Sequence, residues 1–348
     1  MRAVRLTGVR EIEIADIAPP VIKNDCDVLV DVHTVGICGS DVHNYLEGGI
    51  GARKVDYPFI PGHEASGRVA AVGDAVTRVK AGDRIMIEPA FHCGECDQCR
   101  KGRFNTCRNI QFMSSAGELQ GCMCEQVVIP QQNCFVIPDG LSYEQAAVAE
   151  PLSIALYSVK AFSVPLSDGP VAVLGSGPVG LCTMLAAKAM GADQVYVSDR
   201  IDERLKLAGK LGATAVANPD SGDVVQDFMA AQPLGFSAVF ECSGDALALE
   251  HAVNLLAPGG VLLLTGIPVG SRISLNIDQL RRKEIRIQNV RRQNSMVEDT
   301  IKLLDSGAVD VRPLVTHRFG LDEAGTAFEL VAAYSDGVVK AMVRCQHD

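Results

Sequence analysis

The feature that most constrains this chain is the alternation of strand-like and helix-like runs between residues 171 and 289. Six short runs rich in Val, Leu and Ile stand at 171–175, 195–199, 214–218, 237–241, 261–266 and 284–289. Most are separated by stretches with helical spacing, such as PVGLCTMLAAKAMGA and DERLKLAGKLGA. Regular β/α repetition of this kind predicts a parallel, doubly wound α/β sheet. One turn within it carries chemistry. Gly175-Ser176-Gly177-Pro178-Val179-Gly180 reads G-x-G-x-x-G, follows a strand-like run and opens a helical one. Gly175 permits the tight turn, Gly177 lets a pyrophosphate approach the backbone, and Gly180 lets the helix pack closely on the strand. The phosphates then rest on the positive end of the helix.

Asp199 ends the next run, 24 positions after Gly175. An acid there hydrogen-bonds ribose hydroxyls and repels a 2′-phosphate, which favours NAD over NADP. Arg200 and Arg204 pull the other way, because a 2′-phosphate would want such partners. Arg204 is a further candidate for the cofactor site. The plainer alternative, a Gly-rich turn beside a surface Asp, has to explain strand, helix and acid falling into place together.

Residues 1–150 read differently. Short alternating runs such as DVLVDVHTVG, ASGRVAAVG and DRIMIEP, broken by Gly, Pro and Asp, predict antiparallel strands. After 290 come a helical stretch, a Pro-marked strand, a second helix and a last strand, too few for a third domain. They are expected to return to the first. The organisation expected is a split domain of residues 1–150 and 286–348 around a dinucleotide-binding domain at 151–285. With 348 residues, two domains are the ordinary expectation. The formal net charge of −10 disfavours nucleic-acid binding. No apolar run reaches the ~20 residues needed to span a bilayer, and the N-terminal stretch has neither a signal-peptide core nor transit character. A cytoplasmic protein with no membrane partner is expected, and its twelve Cys are then ligands, thiols or core residues rather than disulfides.

Four of those Cys are clustered. Cys93, Cys96, Cys99 and Cys107 are spaced C-x2-C-x2-C-x7-C, which suits a closed, tetrahedral structural zinc in a lobe at 93–107. An iron–sulfur cluster or free thiols remain open from the ligands alone. A zinc ribbon binding nucleic acid is opposed by Glu95, Asp97 and the net charge. A second constellation is more dispersed. Cys38, His63 and Glu64 offer a thiolate, an imidazole and a carboxylate with one coordination position left open, the pattern of a catalytic zinc. Glu150 is a fourth ligand or the holder of a water at the open position. Spacing alone does not unite positions 38, 63 and 150. A core Cys, a satisfied His and a Glu-Pro turn are the plain alternatives.

A family resemblance does unite them. The chain resembles the zinc-dependent medium-chain dehydrogenases over essentially its whole length. GHEASGRVAAVGDAV matches that family's G-H-E-x2-G-x5-G-x2-V signature, and the Cys lobe and glycine motif follow in the family's order. Within the family it looks most like the sorbitol (polyol) dehydrogenase branch, on VGICGSDVH at 35–43, the Glu150-Pro151 pair, GPVGLCTMLAAKAMGA and RPLVTHRF. Asn44 replaces the Tyr frequent in that branch, and Arg291-Arg292-Gln293-Asn294 replaces its Phe-Arg-Tyr.

The resemblance implies a β-rich, GroES-like catalytic domain beside the Rossmann domain. It also implies one catalytic zinc at Cys38, His63 and Glu64 with Glu150 close by, one structural zinc, and NAD. The active site is expected in the cleft between the domains. The implied reaction is oxidation of a secondary alcohol of a polyol to a ketose. The alternative is an L-threonine 3-dehydrogenase-type or other secondary-alcohol enzyme, and a non-enzymatic binding protein would be expected to have lost ligands that are all present. Ser40 and His43 are expected to relay the hydroxyl proton, Phe112 and Arg292 to contact substrate, and the chain to form a homotetramer or homodimer, with SAVFE or VLLLTG as a pairing edge.

Overall fold

The computed structural model describes all residues except 52, 161–162, 164–165, 168, 269, 271 and 347–348. The chain forms two compact units. One comprises Met1–Glu150, Val297–Gly307 and Val311–Asp348, the other Pro151–Met296 and Ala308–Asp310. Among the described residues no helix is long and apolar enough to cross a membrane.

The first unit is built on the strand Asp27–Gly36. Val28, Val30 and Val32 alternate into the core, and a register shift between Val32 and Thr34 then brings Val35 to the same buried side. The sheet runs Cys134–Val136, Arg84–Ile87, Glu64–Val72, Asp27–Gly36, Lys340–Arg344, Val315–Gly320, with Gln126–Pro130 also pairing Asp27–Gly36. Only the last two neighbours in that order are parallel. Antiparallel pairing sets Gly36 opposite Glu64 on one side and Met342 on the other. Sequence-distant segments therefore converge at the end of one strand. Gly36 is required there, because a Cβ would collide with the Glu64 carboxylate.

The second unit is a six-stranded parallel sheet in the order Ala215–Ala217, Val195–Ser198, Val171–Leu174, Phe236–Glu241, Leu256–Leu264, Arg286–Asn289. This is the doubly wound order, with its switch point between Val171–Leu174 and Phe236–Glu241. Its core includes Ala172, Leu174, Phe228, Phe236, Val239 and Leu262, all essentially buried.

Two expectations are corrected here. The boundary falls after Met296 and not after 285, because Arg286–Asn289 pairs in parallel with Leu256–Leu264 and belongs to the dinucleotide sheet. SAVFE and VLLLTG are not edges. Each has a strand on both sides, and the edges of that sheet are Ala215–Ala217 and Arg286–Asn289.

Candidate metal centre and dinucleotide site

In the four-Cys lobe, the short helix Asp97–Arg100 and the 3-10 turn Phe104–Thr106 hold the thiols together. The sulfur separations are 4.0 Å for Cys93–Cys99, 3.6 Å for Cys96–Cys99, 3.9 Å for Cys96–Cys107 and 3.5 Å for Cys107–Cys93. A disulfide would need about 2 Å. Four thiolates at about 2.3 Å around tetrahedral zinc stand roughly 3.8 Å apart. The lobe therefore has the size of a zinc tetrahedron before any ion is considered. Backbone N–H groups of Arg108 and Cys99 pull the Cys96 thiol down to about 6, whereas burial pushes Cys99 up to about 12. Asp97 is ion-paired with Arg108, so its charge is spent within the lobe. Of the remaining Cys, 122, 124, 134, 182 and 345 are buried core residues.

The second cluster lies where the strand Asp27–Gly36 hands over to the helix Gly39–Glu47. Cys38 is the N-cap of that helix, in extended conformation, so its thiol stands at the positive helix end. The pairing of Gly36 with Glu64 brings His63 and Glu64 alongside, and one ligand atom each from Cys38, His63 and Glu64 lies within 4.8 Å of the others. His63 is 3 % exposed, and its Nδ1 faces the Asp41 carboxylate at 3.6 Å without a closer hydrogen-bond partner. That leaves Nε2 as the ligand nitrogen, with Asp41 poised to accept from the other, the usual arrangement behind a metal-bound imidazole. Asp41 is fully buried. Its Oδ2 accepts from the Cys38 N–H at 3.0 Å, and its Oδ1 accepts from the Gly62 N–H at 3.0 Å and the Ser114 hydroxyl at 2.6 Å. Burial alone would raise the pKa of Asp41, but His63, Ser114 and the Cys38 N–H outweigh it and hold it low. Burial alone would lower His63, and the Asp41 carboxylate and Cys38 beside it reverse that, holding it well above the ordinary histidine value. A half-buried thiol beside a buried imidazole and a buried carboxylate, with the imidazole oriented from behind, fits a zinc ion.

Glu64 is 1 % exposed and paired with the equally buried Lys340, whose Nζ also donates to the Ile37 carbonyl at 3.0 Å. Glu150 is buried but is not one of the three residues whose ligand atoms converge. It sits inside the continuous helix Tyr143–Lys160, with Pro151 also inside the helix, so Glu150-Pro151 is not a turn. Burial pushes Glu150 up to about 8. Glu64 and Glu88 add to the rise, and His63 and Lys340 oppose it. Ser40 and His43 share the helix Gly39–Glu47 at a spacing of three, hence one face. His43 is 34 % exposed and engages Glu47 through Nδ1 at 2.9 Å. Phe112 is buried against the His63 ring, with centroids 5.1 Å apart. Arg292 lies in the other unit, with left-handed backbone.

In the second unit the glycine motif closes the strand Val171–Leu174 and opens the helix Pro178–Ala189. Gly177 is the N-cap and Pro178 occupies the first turn. A Cβ on Gly180 would run into the Gly175 carbonyl, whereas one on Gly177 would find only an Arg204 nitrogen at 3.5 Å. Gly180 is thus needed by the fold, and Gly177 leaves space above the loop. Asp199 follows Val195–Ser198 and accepts from the Ser176 N–H at 2.5 Å and the Ile201 N–H at 2.9 Å. Arg200 is paired with Asp220 at 3.0 Å and Arg204 is buried. Sequence reasoning missed Asp41, Ser114 and Lys340. Asp41 alone left a trace, as an acid three positions after a helix-capping Cys.

The chain is similar to known zinc-dependent dehydrogenases over nearly its whole length. Residues 24–139 match the alcohol dehydrogenase GroES-like domain and residues 178–306 the zinc-binding dehydrogenase domain. The chain is 37% identical over 345 residues to sorbitol dehydrogenase of Bacillus subtilis, covering 99% of this chain and 97% of the relative. It is 35% identical over 336 residues to D-xylulose reductase of Morganella morganii, covering 95% and 98%. A zinc-binding dehydrogenase from Sinorhizobium meliloti 1021, solved with NADP, superposes with a TM-score of 0.89 at 31% identity over 99% and 98% of the two chains.

Proposed function

We propose, from the premise that the chain belongs to the zinc-dependent medium-chain dehydrogenases and to their polyol branch, that it oxidises one secondary alcohol of a polyol to a ketose and passes the hydride to NAD. The observation that carries this reading is the donor set. A single thiolate, Cys38, converges with His63 and Glu64, while Glu150 stands buried nearby as a fourth donor or as a hydrogen-bonding group for the diol.

Zinc, when bound there, would draw charge from the alcohol oxygen. For water the corresponding drop is from 15.7 to about 7, so a similar drop would supply roughly 12 kcal/mol. The chain's own residues supply the rest. Cys38, His63 and Glu64 would hold the ion, with Asp41 orienting His63. Ser40 would accept the hydroxyl proton while giving its own to His43, on the same helix face, which releases a proton to solvent. With His43 Nδ1 on Glu47, Nε2 is left for that proton. A nicotinamide ring, when bound, would accept the carbinol hydride, which carries the two electrons, leaving a carbonyl and one proton for the chain's own groups to release. Phe112 closes one wall beside His63. Arg292 is proposed to bind neighbouring hydroxyls.

Gly175, Gly177, Pro178, Val179 and Gly180 are proposed to cradle the pyrophosphate, with Asp199 on the adenosine ribose and Arg204 beside the loop. Asp199 repels a 2′-phosphate, and the adjacent Arg200 is already committed to Asp220, so NAD is favoured. The same reading makes the protein a homodimer or homotetramer, which light scattering tests.

Initial rates decide the function. Zinc-loaded protein is given NAD or NADP with sorbitol, xylitol, galactitol, L-threonine and simple secondary alcohols. Polyol turnover with NAD, abolished in Cys38→Ser, is expected. Turnover of L-threonine alone would replace the polyol reading, and preference for NADP would overturn the cofactor assignment.

A further inference from the structure

Ser114 is 4 % exposed and has a left-handed backbone, φ +58°, which a non-glycine residue adopts at a cost. That turn aims its hydroxyl inward. The oxygen donates to Asp41 Oδ1 at 2.6 Å and accepts from the Gly62 N–H at 2.9 Å, while the same N–H reaches Asp41 Oδ1 at 3.0 Å. Three atoms from three separate segments thus form one closed hydrogen-bonded triangle. Gly62 is the residue immediately before His63, and Asp41 is the carboxylate facing the His63 ring at 3.6 Å. The segment also touches the ring directly, through Phe112, two residues earlier. The Ser114 carbonyl accepts from Asn44 Nδ2 at 3.3 Å, which ties the turn to the helix that Cys38 caps.

We infer that Ser114 is a positioning residue of the Cys38–His63–Glu64 centre, fixing through one hydroxyl both the main chain before His63 and the carboxylate behind its ring. The inference rests on the reading of that cluster as a zinc centre. A carboxylate oxygen held by two donors does not rotate away from the imidazole, so ring orientation and ligand basicity are set before the ion arrives. Loss of such an outer hydrogen bond typically costs 10–100-fold in metal affinity.

Zinc release from the full-length, zinc-loaded protein into excess chromogenic chelator tests this. Two kinetic phases are expected, one from the four-Cys lobe and one that Cys38→Ser eliminates. Ser114→Ala should speed the second phase about 10–100-fold and leave the first unchanged. Ser114→Gly, which keeps the left-handed turn and removes the hydroxyl, should do the same. Wild-type kinetics in Ser114→Gly would mean that the turn and not the hydroxyl matters, overturning the inference. So would equal acceleration of both phases, which marks general loosening. If Cys38→Ser eliminates no phase, the zinc-centre reading itself has failed.

Discussion

Lys340 Nζ lies 2.5 Å from Glu64 Oε2, and both side chains are 1 % exposed. A buried pair of this kind adds little net stability, but removal of one partner strands the other charge, typically at ~3–5 kcal/mol. In the zinc-stripped protein Lys340→Met is therefore expected to lower the melting temperature by roughly 10 °C, and Glu64→Gln in the same chain to recover much of the loss. Scanning calorimetry of the single and double variants checks this. An unchanged melting temperature in Lys340→Met would show the pair to be dispensable.

Glu150 makes the zinc-stripped protein pH-sensitive. Its folded pKa of about 8 stands above the ordinary 4.5. Below about 4.5 the carboxyl is protonated folded or unfolded and costs nothing. As pH rises from there toward 8 the unfolded chain gives up its proton while the folded chain keeps it, so stability falls by at most on the order of 1 kcal/mol per pH unit. Urea midpoints at pH 5, 6.5 and 8 should fall in the wild type and flatten in Glu150→Gln. Parallel slopes in the two proteins would refute the assignment.

His63 ties zinc uptake to protons. Asp41 and Cys38 hold its pKa well above the ordinary value, so at pH 7 the zinc-stripped chain carries a proton that the ion must displace. Affinity is expected to fall as pH falls. Calorimetric zinc titrations at pH 7 in two buffers of different ionisation enthalpy count the protons released. Asp41→Asn, which removes the carboxylate that does most to keep His63 charged, should release fewer. An equal count would disprove the coupling.

The sulfur tetrahedron predicts stoichiometry. Cys107→Ser removes one corner of the four-Cys lobe and should reduce bound zinc from two ions per chain to one, as read by elemental analysis. Retention of two ions would rule the lobe out as a zinc site.

The second and third glycines of the motif separate fold from function. Gly180→Ala forces a Cβ against the Gly175 carbonyl and should lower the melting temperature. Gly177→Ala meets nothing closer than 3.5 Å. It should melt like the wild type yet bind NAD at least tenfold more weakly, because the added methyl occupies the approach to the backbone. Equal NAD affinity in Gly177→Ala would move the pyrophosphate elsewhere.

What could be read in advance follows from locality. The glycine turn, the alternating strands of the second unit and the Cys lobe are written in contiguous residues, and all three were legible. The sixth strand, Arg286–Asn289, was recognised as a run, but its membership depends on parallel pairing with Leu256–Leu264, so the boundary at 285 fell short. SAVFE and VLLLTG cannot be told from edges in the sequence, because centre and edge differ only in what lies alongside. Cys38, His63 and Glu64 were united by family likeness and not by spacing, since the register Gly36 opposite Glu64 is a tertiary fact. Ser114 and Lys340 act through partners 52 to 303 positions away, and no local pattern marks them, whereas Asp41 leaves only its trace three positions after Cys38.

The strand Lys340–Arg344 completes the sheet beside Asp27–Gly36, and this has a consequence for how the molecule is made. Glu64 and Lys340 are separated by 276 positions. At about 5–20 residues per second, that gap lasts roughly 14 to 55 seconds of translation. Throughout it the first unit lacks the counter-charge that lets Glu64 be buried, whereas the strands of the second unit, from Val171 to Asn289, emerge in one continuous block. The topology therefore predicts that the dinucleotide unit matures first on the ribosome, and that the zinc centre closes only after Lys340 has emerged.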